Sequence, residues 1–237
     1  MKRLAIIPAR GGSKRLPGKN IRDFAGKPML AWSVEAALAS GLFDTVMVST
    51  DSEEIAAVAR AAGASVPFMR SHETSDDHAI LMDVMAEVVA RYEAQGEVYG
   101  RICCILATAP LLQADSLISA HDLMEVEGFD TVFPVVAFDY PIQRALRRDQ
   151  DGRTAMIQPE HYASRSQDLE PAYHDAALFF WMRREACLAR QPVFAGKAGS
   201  FVIDAMQAQD IDTPTDWRLA ELKMQLLQAA RKDASPS

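Results

Sequence analysis

Cysteine is scarce in this chain, with three residues in 237, two of them adjacent at Cys103 and Cys104. That is too few for a disulfide framework, and no Cys-x-x-Cys pair is present to make a structural zinc site. A reducing, cytoplasmic setting is expected, with Cys103 and Cys104 as small core residues. No apolar run approaches the roughly 20 residues of a membrane span, and no signal-peptide pattern precedes the first apolar segment, so no membrane partner is expected. A strongly positive balance of charge is found at one place only. The net charge is −7, yet residues 1–30 hold eight Lys or Arg against Asp23 alone, which leaves a balance of −14 on the rest. An acidic protein with one basic segment is a poor nucleic-acid binder and suits a small anionic ligand held at one point. Both common phosphate fingerprints are missing, the Gly-x-Gly-x-x-Gly of dinucleotide sites and the Gly-x4-Gly-Lys-Ser/Thr of kinase-type loops. No Ser–His or Cys–His nucleophile stands out either.

What is present organises the chain from its start. Leu4 to Ile7 is a short apolar run stopped by Pro8, the pattern of a buried parallel strand. Gly11, Gly12, Pro17 and Gly18 then break helix and strand alike, and the same loop carries Arg10, Lys14, Arg15 and Lys19. Glycines let backbone N–H groups approach phosphate oxygens, and cations neutralise them. A solvated basic turn is the alternative. Position favours the phosphate reading, because ligands of open α/β sheets bind beyond the carboxyl ends of the strands.

Further along, residues 28–40 read as a helix with Pro28 at its start and Gly41 beyond its end. Residues 44–49 read as a strand. Thr50 or Asp51 is expected to cap a helix over 52–62, since Thr50 with Glu53 and Asp51 with Glu54 both have capping-box spacing. The alternative role for Asp51 is to help close a nucleotide site at its strand end. Residues 66–69 read as a strand, 79–95 as a helix, 101–107 as a strand, 115–127 as a helix and 130–136 as a strand. This alternation predicts an α/β fold of three layers, a mostly parallel sheet with helices on both faces. It breaks at Ala137. Residues 137–180 read as an insertion within a single domain spanning 1–237, Val193 to Ile203 as one or two strands, and Thr213-Pro214-Thr215-Asp216 as the capped start of a last helix.

Just before that helix stands Asp210-Ile211-Asp212. In extended chain, residues two apart share a face, so Asp210 and Asp212 present two carboxylates while Ile211 is buried opposite. Two hard oxygen ligands suit Mg2+, which fills its other positions with water and substrate phosphate. The alternative is a helix-entry residue beside a solvated one. A basic phosphate loop and a carboxylate pair together imply nucleotidyl transfer, which works by positioning and charge neutralisation. Arg10, Lys14 and Lys19 would hold the triphosphate, and Gly11, Gly12 and Ser13 would donate N–H groups. Arg10, Lys19, Asp210 and Asp212 are the catalytic candidates.

The segment Ile7-Pro-Ala-Arg-Gly-Gly-Ser-Lys-Arg-Leu-Pro-Gly-Lys-Asn20 resembles the signature loop of the acylneuraminate cytidylyltransferase family, enzymes that make CMP-activated nine-carbon acidic sugars. The resemblance extends over residues 4 to about 218. It implies a Rossmann-like nucleotidyltransferase sheet, a nucleotide site that includes Ala9, Asn20, Arg70 and Thr108, and a metal on the paired aspartates. Arg165-Ser-Gln-Asp-Leu and Tyr173-His-Asp-Ala-Ala-Leu-Phe-Phe-Trp181 resemble the pseudaminic acid branch, as do Arg15 and the Ala107–Pro110 turn. Ala177, Leu178 and Phe180 depart from it, standing where the branch has Gly, Gln and Tyr. The implied acceptor set is Arg165, Gln167, Tyr173, His174, Asp175 and Phe179, with Arg144 a lesser candidate. The implied partners are CTP, an acidic sugar and a second copy of the chain paired through the insertion. Transfer to sialic or legionaminic acid, or a nucleotide-binding module without catalysis, are the alternatives.

Overall fold

The computed structural model describes residues 1–12, 16–75 and 80–233. The first half alternates as the sequence predicts. Strand β1 (Arg3–Pro8) leads through a hairpin, β2 (Asp23–Phe24) and β3 (Lys27–Pro28), to α1 (Met29–Ala39). Then follow β4 (Thr45–Ser49), α2 (Glu53–Ala61), α3 (Leu81–Ala94), β5 (Arg101–Ile105), α4 (Ala114–Glu127) and β6 (Thr131–Ala137). The second half contains the hairpin β7 (Leu146–Arg148) and β8 (Thr154–Met156), then β9 (Tyr173–Asp175), β10 (Phe179–Arg183), α5 (Arg184–Leu188), β11 (Ala198–Val202) and α6 (Pro214–Asp233).

The main sheet runs in the order β11-β6-β10-β5-β1-β4, with β9 also on β6. β1 is parallel to β4 and β5, and β11 is parallel to β6. Alternate strand residues face opposite layers. Ala5, Ile7, Cys103, Ile105 and Trp181 pack into one core, under α1, α2 and α4. Leu4, Ile6, Ile102, Cys104 and Met182 pack into another, with α3 and α5. This is the expected three-layer arrangement. All three cysteines are buried and free, and burial pushes the Cys187 thiol up to about 12, so they pack as small apolar groups. Among the described residues no helix is long and apolar enough to cross a membrane.

Three details differ from the sequence expectation. First, residues 66–69 form no strand. Only Ser65 bridges to Met47, and the following Pro67 has no N–H to extend the ladder. Second, the cap of α2 is Ser52, whose hydroxyl accepts from the Ile55 N–H at 3.4 Å, while Asp51 turns elsewhere. Third, Phe179 and Phe180, placed at the end of the insertion, belong to the central strand β10, which pairs antiparallel with β5 and β6. The alternation rule describes only parallel crossovers, so a returning antiparallel strand escapes it.

Candidate active site

The carboxyl ends of β1, β4, β5 and β6 share one edge of the sheet. There the chain, having laid β4 on one side of β1, crosses to lay β5 on the other, a place where α/β sheets open a crevice. The basic loop leaves β1 at this edge. Its turn is closed by bonds from the N–H groups of Ile21 and Arg22 to the Gly18 carbonyl, at 3.1 and 3.0 Å. Gly18 takes φ +67, a conformation in which a side chain is strained. Asn20 is 8 % exposed, and its amide donates to the Arg10 carbonyl at 3.0 Å, fastening both ends of the loop. Below lies a third apolar core of Leu16, Phe24, Leu111, Ile211, Trp217 and Met224, which seats the loop on α6. Ser13 and Lys14 lie outside the described residues.

Lys19 joins the two ends of the sequence. Its ammonium donates to the Ile211 carbonyl at 2.8 Å and meets Asp212 Oδ1 at 3.4 Å. Ile211 is fully buried, Asp212 is half-buried and Asp210 is exposed, the alternation read from the sequence. Asp216 steadies this segment by accepting from the Asp212 N–H at 3.1 Å and the Thr213 N–H at 2.8 Å. The hydroxyl and backbone bonds from Thr213 hold the Asp216 carboxyl below its usual value. Among the described residues no group of three or more His, Cys, Asp or Glu gathers to hold a metal. The candidate donors are the two carboxylates of Asp210 and Asp212. They fit Mg2+, which commonly takes one or two carboxylates and completes its shell with water and phosphate.

Beside the loop, Asp51 Oδ1 accepts from the Gly11 N–H at 2.9 Å. The residue read mainly as a helix cap instead ties the basic loop to the end of β4. Arg70 packs against the same strand end and donates to the Ser49 hydroxyl at 3.1 Å. Burial pulls the Arg70 guanidinium below the usual arginine value; the charges of Asp51 and Glu87 oppose this and the charge of Arg10 adds to it. Ser71, next to Arg70, is anchored on α3, where Glu87 accepts from its N–H at 3.1 Å and its hydroxyl at 2.9 Å. Ala9 is buried at the strand end, and Thr108 is half-buried in the turn after β5. Arg10, Gly11, Gly18, Lys19, Asn20 and Ser52 line a small cleft of about 60 Å3.

A larger cleft of about 570 Å3 opens next to it, lined among others by Asp139, His174, Asp175, Ala177, Asp210 and Lys223. It brings together the metal candidate Asp210 and the acceptor candidates His174 and Asp175. The other acceptor candidates do not line it. Arg165 is on the insertion, its side chain 75% exposed and paired with Asp168 at 2.9 Å. Gln167 lines an adjoining cleft of about 370 Å3, which shares Phe138, Asp139 and Tyr140 with the larger one. Tyr173 is exposed, and Phe179 is buried in the core against Phe201. Of the departures from the branch pattern, Leu178 and Phe180 are core residues, and only Ala177 reaches the cleft. Asp139 and Lys223 were not anticipated. Nothing in the spacing of the last helix marks Lys223, one of several charged residues there.

The cytidylyltransferase family pattern matches residues 4–225. Pseudaminic acid cytidylyltransferase of Campylobacter jejuni is 43% identical over 222 residues, covering 94% of this chain and 96% of that protein. The CMP-N,N'-diacetyllegionaminic acid synthase of Legionella pneumophila is 30% identical over 239 residues, covering 97% and 99%. Among solved structures, a CMP:2-keto-3-deoxy-manno-octonic acid synthetase complexed with CTP superposes with a TM-score of 0.70 at 19% identity, covering 97% of this chain and 100% of that one. This last likeness is one of fold.

Proposed function

Since the chain belongs to the cytidylyltransferase family, we propose that it transfers CMP from CTP to a nine-carbon acidic sugar, pseudaminic acid, and releases pyrophosphate. The observation that carries this reading is the contact of Lys19 with Asp212 and the Ile211 carbonyl. This contact supports a reading in which the α-phosphate lies between the basic loop and the two aspartates, with nucleotide on one side and acceptor on the other. Arg10, Lys19 and Arg70 bind the triphosphate and neutralise the departing pyrophosphate. Loop N–H groups complete the cradle, and the turn around Asn20 and Thr108 borders the cytidine. The neighbouring cleft, with His174 and Asp175, orients the sugar so that its anomeric oxygen faces the α-phosphorus. That oxygen forms the new P–O bond as the bond to the β-phosphate breaks, in line, and the hydroxyl proton leaves to solvent. Mg2+ held by Asp210 and Asp212 would supply charge neutralisation at the α-phosphate and lower the pKa of the attacking hydroxyl.

The enzyme acts in the cytoplasm as a homodimer paired through the insertion. Support for this pairing comes from the exposed apolar side chains Ile142, Leu146, Ile157 and Tyr162 on residues 138–172, between β6 and β9.

The test is pyrophosphate release with CTP, Mg2+ and a panel of pseudaminic, legionaminic and sialic acids. Turnover on pseudaminic acid is expected to fall by roughly 100-fold or more in Asp212→Ala. Turnover on another acid alone would move the acceptor while keeping the reaction, and release with none of them would overturn the enzyme reading.

A further inference from the structure

The acceptor cleft poses an electrostatic problem for an acidic sugar. Its lining contains the carboxylates of Asp139, Asp175 and Asp210, and a sugar carboxylate entering it is repelled unless a cation meets it. The arginines that the sequence offers for this purpose do not line it: Arg165 is paired with Asp168, and Arg144 reaches the Ser166 hydroxyl at 3.5 Å. Among the described residues, Lys223 is the one Lys or Arg that lines it.

Lys223 projects from α6, and its ammonium is held by two backbone carbonyls, Ala205 at 2.8 Å and Ala208 at 2.7 Å. These carbonyls belong to a one-turn 3-10 helix, Ala205–Gln207, and to the residue that ends it, just before Asp210. An ammonium has three protons, so two are used and one remains for a ligand. Two fixed acceptors also remove most of the lysine's rotamer freedom in advance, so little ordering cost is left for binding. Burial lowers the Lys223 pKa, and the charges of Asp204 and Asp139 work against that, so acidic groups face it without taking the last proton. A half-buried ammonium is best stabilised by a further charge-assisted bond.

We propose that Lys223 is a specificity-determining residue of the acceptor cleft, whose ammonium receives the carboxylate of the acidic sugar. This rests on the reading of the protein as a transferase to such sugars. It extends that reading to a residue in the last helix, whose known contacts are otherwise with the turn before Asp210.

A purely structural role, pinning that turn, predicts a different outcome, and a pair of acceptors separates the two. Pseudaminic acid and its methyl ester differ in the charge at one position. Wild-type protein is expected to prefer the free acid by roughly 10- to 100-fold in kcat/KM, the range for a hydrogen bond to a charged group. In Lys223→Met the preference collapses to about 1, because turnover of the acid falls by roughly 10- to 100-fold more than turnover of the ester. Lys223→Gln keeps a donor for the turn without the charge and is expected to behave alike, which covers the case of a poorly folded Met variant. Lys223→Arg retains the acid preference. The proposal is overturned if Lys223→Gln still prefers the acid as strongly as wild type, or if acid and ester fall by the same factor in it. If wild type turns over neither pseudaminic acid nor a related acid, the transferase reading itself has failed and takes this one with it.

Discussion

Ala177 takes φ +52, a left-handed conformation, at the break between β9 and β10. The two strands follow the same edge of β6, and the chain bulges out between them at Ala176–Leu178. Such a bulge favours glycine at its left-handed residue, which is what the pseudaminic acid branch has there. An alanine in this conformation costs about 1–2 kcal/mol. Replacing it with glycine adds about 0.5–1 kcal/mol of unfolded-chain entropy to lose. Relief outweighs entropy, so Ala177→Gly is expected to stabilise by about 0.5–1 kcal/mol, read as a higher urea midpoint. A lower midpoint would mean that the Asp175 carboxylate, which accepts from the Ala177 N–H at 3.0 Å, already relieves the strain. Residues were unevenly legible. The burial of Ile211 between two outward aspartates followed from a period of two, and the glycines and cations of the loop declared themselves. Asp51 looks like a cap because capping a helix and tethering a loop both use a side-chain acceptor at the end of a strand, and here the neighbouring Ser52 takes the cap. Only the position of Gly11 decides between them. Lys223 was invisible because its meaning depends on a cleft made by segments distant in sequence.

At the scale of elements, α6 carries more than its own length. Thr213 Oγ1 accepts from the Asp216 N–H at 3.2 Å while Asp216 accepts from the Thr213 N–H, a reciprocal cap with Pro214 inside it. Trp217, one residue further, packs edge-on against Phe24 in the core under the phosphate loop. Thr213→Ala is expected to cost about 1 kcal/mol and to lower Tm by roughly 2–4 °C in a chain of this length. Thermal unfolding followed by circular dichroism checks this, and an unchanged Tm would show that Asp216 alone secures the helix start. Pattern reasoning found this helix, its cap and most strands, since caps and apolar runs are local signals. It failed for β10, because an apolar run reveals neither the direction nor the neighbours of a strand. It failed at residues 66–69 because one proline outweighed three apolar neighbours.

The whole molecule divides into a sheet edge that gathers the chemistry and an insertion that leaves between β6 and β9. The layers were legible from alternation alone. The insertion was legible only as a loss of pattern, and its outer face bears Leu146 and Ile157, 60% and 59% exposed. The proposed pairing through the insertion predicts that the paired substitution Leu146→Asp with Ile157→Asp halves the mass measured by sedimentation, with little change in thermal stability of the remaining fold. A mass unaltered by the two charges would remove the insertion from that proposal. The central place of β10 has one more consequence. During synthesis β5 and β6 are made well before residues 179–183, and β10 is the strand that joins them. A nascent chain that has not reached Arg183 therefore exposes two bare apolar edges, which invite pairing with other chains. The order in which the ribosome releases the strands runs against the order in which the sheet is joined.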